Sequence, residues 1–323
     1  MLDAASWLEL ESAAEALAAV SARMGQRVGV DVRELLNQRG LAPRGTVSAN
    51  GSCRLLPTKD SWIALSLSRP DDWDLLPALF HTDVDDWDWD TVAASVTTAV
   101  GSDLDAAATE LGLALAVLPA KPPPVDRPWR ITPTGDRATQ PRVERVVDLS
   151  ALWAGPLCAS LLRRAGAHVL TVQSTSRPDN GRVYEADDYV SLDFRSTDGL
   201  AELRRLIQNA DVVITAARLR ALHGLGLDPG ALTQSKPGLT WVAITAYGLT
   251  GPWNNRIGYG DDTAVAAGLV KRGPTPAFIG DAIADPITGL YGALAALEVA
   301  SAGGGVVDIA LRDTAAYVAR AMQ

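Results

Sequence analysis

Cysteine and histidine are scarce in this sequence of 323 residues, which has two of the first and three of the second. Cys53 and Cys158 are too few to build a disulfide scaffold of the kind found in small secreted domains. The three histidines are widely separated, and none has a histidine or cysteine at metal-ligand spacing. The sequence therefore predicts neither a disulfide-rich domain nor a metal site.

Long apolar runs and an excess of positive charge are also missing. The longest apolar stretch near the C-terminus, residues 289–303, is shorter than the roughly 20 residues that a membrane-spanning helix needs. The first twenty residues carry acids where a secretory signal is basic. The formal net charge of -9 argues against nucleic acid as a partner. We therefore expect a cytoplasmic protein that binds neither membranes nor nucleic acid.

The second half of the chain alternates between strand and helix patterns. Apolar, β-favouring runs predict strands at residues 145–150, 167–173, 211–217 and 239–248. Helical patterns lie between them, which predicts an α/β fold with a Rossmann-like parallel sheet and flanking helices. The first strand is followed by WAGP instead of the GxGxxG fingerprint, so a nicotinamide-dependent dehydrogenase is not expected.

The first half predicts a separate unit. Residues 1–120 contain a helical segment at 4–24 and a strand at 61–67, and we interpret them as a helical segment with a smaller α+β domain. Proline and polar residues dominate 121–143, which predicts a linker over the surface. The large domain is then expected at 144–323.

Five segments of the second half resemble, in order, the class III CoA-transferases, the family of formyl-CoA and carnitine CoA-transferases and α-methylacyl-CoA racemase. They are RVVDLSALWAGPLCASLLRRAGAHVLTVQ, VSLDFRSTDGLAELRRLIQNADVVI, LGLDPGALTQSKPGLTWVAITAYGLTGP, GYGDDTAVAAGLV and IADPITGLYGALAALEVASAGGGVVDIALRDTA. Taken together and in this order, they identify the chain as similar to this family.

The segment NGSCRLLPTKDSWIALSLSRPDDW, at 50–73, is similar to the start of the family's smaller domain. That domain usually follows the large one, whereas here it precedes it. The chain is then either a permuted arrangement or one half of a tandem protein. Because family members form interlocked dimers, the resemblance implies a homodimer, either interlocked or not, or a hetero-oligomer with a paralogue.

Asp285 in ADPITG matches the family's nucleophilic aspartate, with Asp281 as the second choice. A carboxylate can attack a thioester, and the resemblance implies an aspartyl-CoA intermediate during transfer of CoA between carboxylic acids. The same residue also fits a helix N-cap, because Asp followed by Pro is typical of a helix start.

Tyr259 stands where the family's transferases have tyrosine and its racemases have histidine. Racemisation needs groups that remove and deliver a proton, and a tyrosine with a pKa of about 10 is a poor base at neutral pH. Tyr259 therefore favours transfer over racemisation, although an aromatic wall of a pocket is an equally good interpretation.

The resemblance also implies which residues contact CoA, the only cofactor expected, as a substrate. Arg195 matches a basic position, and the backbone at Ala154, Gly155 and Pro156 matches the turn that approaches CoA. Arg218 is a further loop candidate for the phosphates. Each arginine taken alone also fits a solvated surface charge.

Some family positions are altered. Gln173 and Ala216 replace an expected Glu and Asn, and a basic group before the second family segment is missing. These changes indicate weakened CoA binding or a subunit without activity. The leading prediction is a CoA-transferase, and the alternatives are an acyl-CoA racemase-like enzyme and a non-catalytic partner subunit.

Overall fold

The computed structural model describes residues 2–82, 86–134, 143–176, 181–184 and 188–321. The helices are α1 (Ala4–Arg23), α2 (Val32–Leu36), α3 (Pro70–Trp73), α4 (Leu76–Phe80), α5 (Trp89–Thr97), α6 (Gly101–Leu111), α7 (Ala154–Arg164), α8 (Thr197–Asn209), α9 (Leu219–Gly224), α10 (Pro229–Ser235), α11 (Gly260–Ala266), α12 (Ala284–Ser301) and α13 (Leu311–Arg320). The strands are β1 (Cys53–Pro57), β2 (Trp62–Ser66), β3 (Ala114–Val117), β4 (Arg130–Pro133), β5 (Arg145–Leu149), β6 (His168–Ser174), β7 (Asp188–Leu192), β8 (Val212–Thr215), β9 (Thr240–Thr245) and β10 (Gly305–Ala310).

The larger sheet has the strand order β4-β10-β9-β8-β5-β6-β7. All neighbouring pairs are parallel except β10 and β4. Every residue of β8 and β9 is buried, as expected for central strands that helices cover on both faces. The predicted α/β fold with a parallel-rich sheet and flanking helices is confirmed.

Alternate side chains of the central strands enter two different cores. Val146, Ile214 and Val242 pack with α1, α7, α12 and α13 on one face. Val147 and Val213 pack on the other face with α8 and the short helices that follow it. Successive side chains of a strand point to opposite faces of the sheet. Alternate residues of each apolar run therefore enter different cores.

Helix α12 is the central helix of the first face. It is buried almost all round and lies against α7, α1, α13 and the sheet. Gly289 permits the close approach of α7, because a Cβ there would lie 2.8 Å from the Ala154 carbonyl oxygen. Although α12 is apolar, no helix in the described ranges combines the length and apolarity that crossing a bilayer requires.

The predicted linker at 121–143 was wrong for residues 130–133, which form β4 at the edge of the larger sheet. Pro133 pairs with Gly305 in the register, and the Arg130 guanidinium binds Asp308 and Asp313 at 3.5 and 2.8 Å. All four β4 residues are exposed, so no apolar alternation marks the strand. Residues 135–142 of the predicted linker lie outside the described residues.

The first helices pack on the larger sheet's helices. Ser6 Oγ donates to the Val318 carbonyl at 3.3 Å, and the Tyr291 hydroxyl donates to Glu9 at 3.1 Å. Leu10 and Leu17 are fully buried in the same core as α12. The N-terminal segment is thereby held beside α12, while the division into domains remains a prediction.

The smaller sheet, β1-β2-β3, is antiparallel and lies against α11. One face covers its own core with α4, α5 and α6, where Ile63 and Leu65 are fully buried. The other face places Cys53 and Ala64 against Val265 of α11. Helix α11 therefore lies between the smaller sheet and α13, and its first turn faces the start of α12.

Gly155, in the first turn of α7, provides a test of this packing. A Cβ at Gly155 would collide with the Ser150 side chain. Gly155→Val should lower the free energy of unfolding by about 2 kcal/mol or more, measured by urea denaturation. Gly224→Ala, where a Cβ meets nothing within 4 Å, is the matched control and should cause no loss. Equal stability of the two variants would contradict the packing at α7.

Candidate active site

Asp285 lies in the first turn of α12, at the edge where the parallel strands end. Helix α12 leads into β10, which is parallel to β9, so its first residues lie at the carboxyl ends of the strands. Ligands of open α/β sheets bind at this edge. The N-cap position is taken by Ile283, which makes no side-chain cap, so the N-cap interpretation of Asp285 was wrong.

Four carboxyl groups gather where α11 and α12 begin. They belong to Asp261, Asp262, Asp281 and Asp285. The first three are buried, with exposed fractions of 5%, 0% and 2%, whereas Asp285 is partly exposed. Within the described part of the chain, no group of three or more His, Cys, Asp or Glu side chains is arranged to hold a metal ion. Asp285 is therefore the least buried residue of this cluster.

A strained loop presents Asp285. The Asp285 N–H donates to the Ala282 carbonyl at 2.8 Å, and the Ala282 N–H donates to Asp261 Oδ1 at 3.0 Å. Ala282 has a φ of 40°, a left-handed conformation that a non-glycine residue rarely adopts. Strain of this kind is retained where the surrounding structure fixes it, and it clusters at functional sites. Asp261 thus fixes the loop that leads to Asp285.

Gly260 lies directly against the Asp285 carboxylate. A Cβ on Gly260 would collide with Asp285 Oδ2 and with the Ala282 carbonyl, so no larger residue fits. The Gly260 backbone also hydrogen-bonds to the Asp285 carboxylate. This approach places a main-chain donor beside the carboxylate, as a site that stabilises negative charge requires.

Asp262 connects the smaller sheet to the site. Its Oδ1 accepts from Ser66 Oγ of β2 at 3.0 Å and from the Tyr259 N–H at 2.9 Å. Its Oδ2 is buried and has no hydrogen-bond partner among the described residues. The smaller sheet therefore contributes to the site within a single chain.

Burial changes the acidity of the cluster. Loss of solvation, and then repulsion from Asp261 and Asp262, raises the pKa of Asp285 to about 7, while the Gly260 hydrogen bond opposes the rise. Burial also raises the pKa of Asp261 and of Asp262 to about 7. Because the groups lie close together, ionisation of one opposes ionisation of its neighbours.

Tyr259 is the N-cap residue of α11 and is partly exposed. Its side chain interacts electrostatically with Arg69 of the smaller domain. Arg69, Arg218, Arg220 and Asn255 line one cavity of about 470 Å³ between elements that belong to the two sheets. Arg69 therefore interacts with Tyr259 and also lines the cavity that Arg218 lines.

The other predicted CoA contacts are spread along the same edge. Ala154, Gly155 and Pro156 form the buried first turn of α7, after β5. Arg195 is exposed beyond β7, three strands from the β8 end that carries Arg218, a separation of roughly 14 Å at the usual strand spacing. These residues share an edge of the sheet, but Arg195 is not in the cavity that Arg218 lines.

Sequence reasoning missed two cations at this edge. Arg182 binds the buried Asp148 carboxylate and donates to the Ser150 carbonyl at 3.1 Å. Arg39, from the loop after α2, has its Nε 3.4 Å from Asp281 Oδ2. Asp148 is an acid inside the apolar run RVVDL, and a buried acid of this kind indicates a nearby partner. No sequence signal marks Arg39.

Fold and site together define an α/β protein with an accessible carboxylate at a helix start on the sheet's carboxyl edge. The profile of CoA-transferase family III matches residues 144–322, more than half of the chain. The chain belongs to CoA-transferase family III, which confirms the resemblance drawn from the five segments.

Curated relatives match over the same region. The succinyl-CoA–D-citramalate CoA-transferase of Chloroflexus aurantiacus is 29% identical over 194 residues, 52% of this chain and 48% of the relative. The succinyl-CoA–L-malate CoA-transferase alpha subunit of Chloroflexus aurantiacus is 28% identical over 197 residues, 54% of this chain and 46% of the relative. The chain spans about half the length of the curated relatives it matches. A CAIB/BAIF family protein from Brucella suis has a TM-score of 0.49 at 29% identity, covering 58% of this chain and 55% of that one.

The raised pKa of Asp285 predicts a pH-dependent stability. The folded state binds the proton of the Asp285 carboxyl more tightly than the unfolded chain does. The stability that this proton contributes is fully present below the unfolded pKa of about 4 and is lost as pH rises through about 7. The Asn side chain stays neutral at both pH values. The change in free energy of unfolding that Asp285→Asn causes should therefore be more favourable at pH 8 than at pH 4, by at least about 1 kcal/mol. Asp126→Asn, at a fully exposed side chain, is the control for denaturation at both pH values. A pH-independent effect of Asp285→Asn would contradict the raised pKa.

Proposed function

We propose that this chain transfers CoA between carboxylic acids, with Asp285 as the covalent nucleophile. The observation that carries the proposal is the position of Asp285, a partly exposed residue in the first turn of α12 whose carboxylate lies against the Gly260 backbone. Membership of CoA-transferase family III supports the reaction class. The named CoA-transferase relatives support it as well.

The reaction proceeds through two anhydrides and one thioester. The Asp285 carboxylate attacks the acyl-CoA carbonyl, the C–S bond breaks, and CoA leaves as a thiolate. The thiolate attacks the aspartyl carbonyl of the mixed anhydride, which releases the donor carboxylate and leaves an aspartyl-CoA thioester. The acceptor carboxylate then repeats these steps in reverse and leaves as the new acyl-CoA.

The surroundings of Asp285 suit this chemistry in two ways. With a pKa of about 7, the carboxylate is available at neutral pH and is more basic than an ordinary Asp. The Gly260 main chain and the start of an 18-residue helix offer partial positive charge beside the developing oxyanion.

CoA would extend from Asp285 along the carboxyl edge of the sheet. The cavity lined by Arg218 and Arg220 opens between the two sheets' domains, and Arg69 relates it to Tyr259. We assign Arg218 to the phosphates and Tyr259 to the wall of the acyl site. Arg195 lies farther along the same edge, where the far end of CoA would pass. The α7 turn at Ala154, Gly155 and Pro156 lies beside the start of α12, where the reacting end of CoA would be.

A second candidate is a partner subunit without activity of its own. A relative named as an alpha subunit favours this reading. Arg195 also lies outside the Arg218 cavity. In that case the chain would assemble with a paralogue, and Asp285 would be dispensable in the complex. A racemase-like enzyme would have the same fold. Tyr259 counts against that activity, because tyrosine is a poor base.

A panel of acyl-CoA donors and free carboxylic acids, followed by mass spectrometry of new CoA esters, tests the transferase proposal. The protein should form a new ester, and Asp285→Ala should lower the rate by at least about a thousandfold. Asp198→Ala is the matched control, because Asp198 is also the second residue of its helix but is exposed. Full activity in Asp285→Ala would contradict the proposal, and activity only after addition of a paralogue would favour the partner subunit.

Arg218→Ala tests the assignment of the CoA phosphates. Arg218 would bind the CoA phosphates equally strongly in the ground state and in the transition state. Its loss should therefore raise KM for acyl-CoA by about tenfold and leave kcat nearly unchanged. Arg205→Ala is the control, because Arg205 pairs with Glu202 on the exposed face of α8. An unchanged KM in Arg218→Ala would remove Arg218 from the CoA site.

A further inference from the structure

Asp281 is a buried acid that hydrogen bonds do not satisfy. Its exposed fraction is 2%, and neither carboxylate oxygen has a hydrogen-bond partner among the described residues. A buried carboxylate without partners is costly unless a cation lies near it. Asp281 also repels the two neighbouring carboxyls of Asp261 and Asp285. Burial raises the pKa of Asp281, and a nearby positive charge would oppose that rise.

Arg39 provides that charge. Its Nε lies 3.4 Å from Asp281 Oδ2, and its guanidinium carbon lies 5.7 Å from the centre of the Trp153 ring. Trp153 is the N-cap residue of α7, so Arg39 bridges the starts of α7 and α12. It comes from the N-terminal segment, outside the residues matched by the family profile.

The other cations that act on the groups of this region, Arg256 and Arg69, are paired with other carboxylates. Arg256 acts on Asp262, but it binds Asp105 and donates to the Leu115 carbonyl at 2.9 Å. Arg69 binds Asp72 and faces Tyr259. The titratable and charged groups that face the cluster from the surrounding elements are Arg39, Cys53, Tyr247, Arg256, Asp261, Asp262, Asp281 and Asp285. Arg39 is the cation in contact with Asp281.

We propose that Arg39 is a positioning residue of the site, which neutralises Asp281 and so allows the neighbouring Asp285 to carry its negative charge. This inference rests on the proposed function. Arg39 also helps to fix the 280–284 loop through Asp281. The N-terminal segment packs on α12 and, in this proposal, also contributes the positioning residue Arg39.

Removing one charge of the pair should move the acidic limb of the pH–rate profile, and removing both should restore it. Arg39→Gln leaves an extra negative charge, so Asp285 ionises only at higher pH, with a loss of at least about tenfold at pH 6. Asp281→Asn removes a negative charge and should move the limb to lower pH. The double variant should lie close to the wild type, and Arg39→Lys should retain most of the activity.

Arg33→Gln is the matched control. Arg33 lies in the same N-terminal segment, with its guanidinium carbon 4.4 Å from the Trp7 ring centre, and does not contact the cluster. Its pH profile should be unchanged. An Arg39→Gln defect that is equal at every pH, or a double variant worse than both single variants, would overturn the inference.

Denaturation at pH 8 tests the pair without any activity. Arg39→Gln should destabilise the protein in the wild-type background and much less in the Asp281→Asn background. Equal loss in both backgrounds would overturn the pairing. If the wild type forms no new ester but this coupling is present, the proposed function fails while the Arg39–Asp281 interaction stands.

Discussion

The site depends on the burial of four carboxyl groups where the first turns of α11 and α12 meet. Burial raises the pKa of these carboxyls, and repulsion from neighbouring aspartates adds to the rise at Asp261 and Asp285. The fold holds them together through the Asp261–Ala282 hydrogen bond, the close contact of Gly260 with Asp285, and Arg39 beside Asp281. These contacts hold the four acids together, and Asp285 is the least buried of them.

Three parts of the chain supply these contacts. The larger sheet orients α12 so that Asp285 lies at its carboxyl edge, and the smaller sheet holds α11 through Ser66 and Asp262. The N-terminal helices pack on α12 and bring Arg39 to the cluster. All the residues of the cluster therefore come from one chain.

The sequence predicted the elements whose signal is local. β5, β8 and β9 are apolar runs buried on both faces, and α8 begins at a serine N-cap. β4 was missed because its exposed residues are ordered only by pairing with β10. Asp285 was found through its surrounding family segments, whereas Asp261 and Arg39 become relevant only after folding brings distant segments together. No local pattern records such contacts.

The covalent intermediate is the central claim, and its direct test is mass spectrometry of the intact protein incubated with acyl-CoA and trapped with hydroxylamine. Hydroxylamine attacks anhydrides and thioesters, so an aspartyl intermediate leaves a hydroxamate on the reacting side chain. The account predicts a hydroxamate on Asp285 that requires acyl-CoA and is absent from Asp285→Ala. Transfer of CoA without any label on Asp285, or label on another carboxylate, would contradict it.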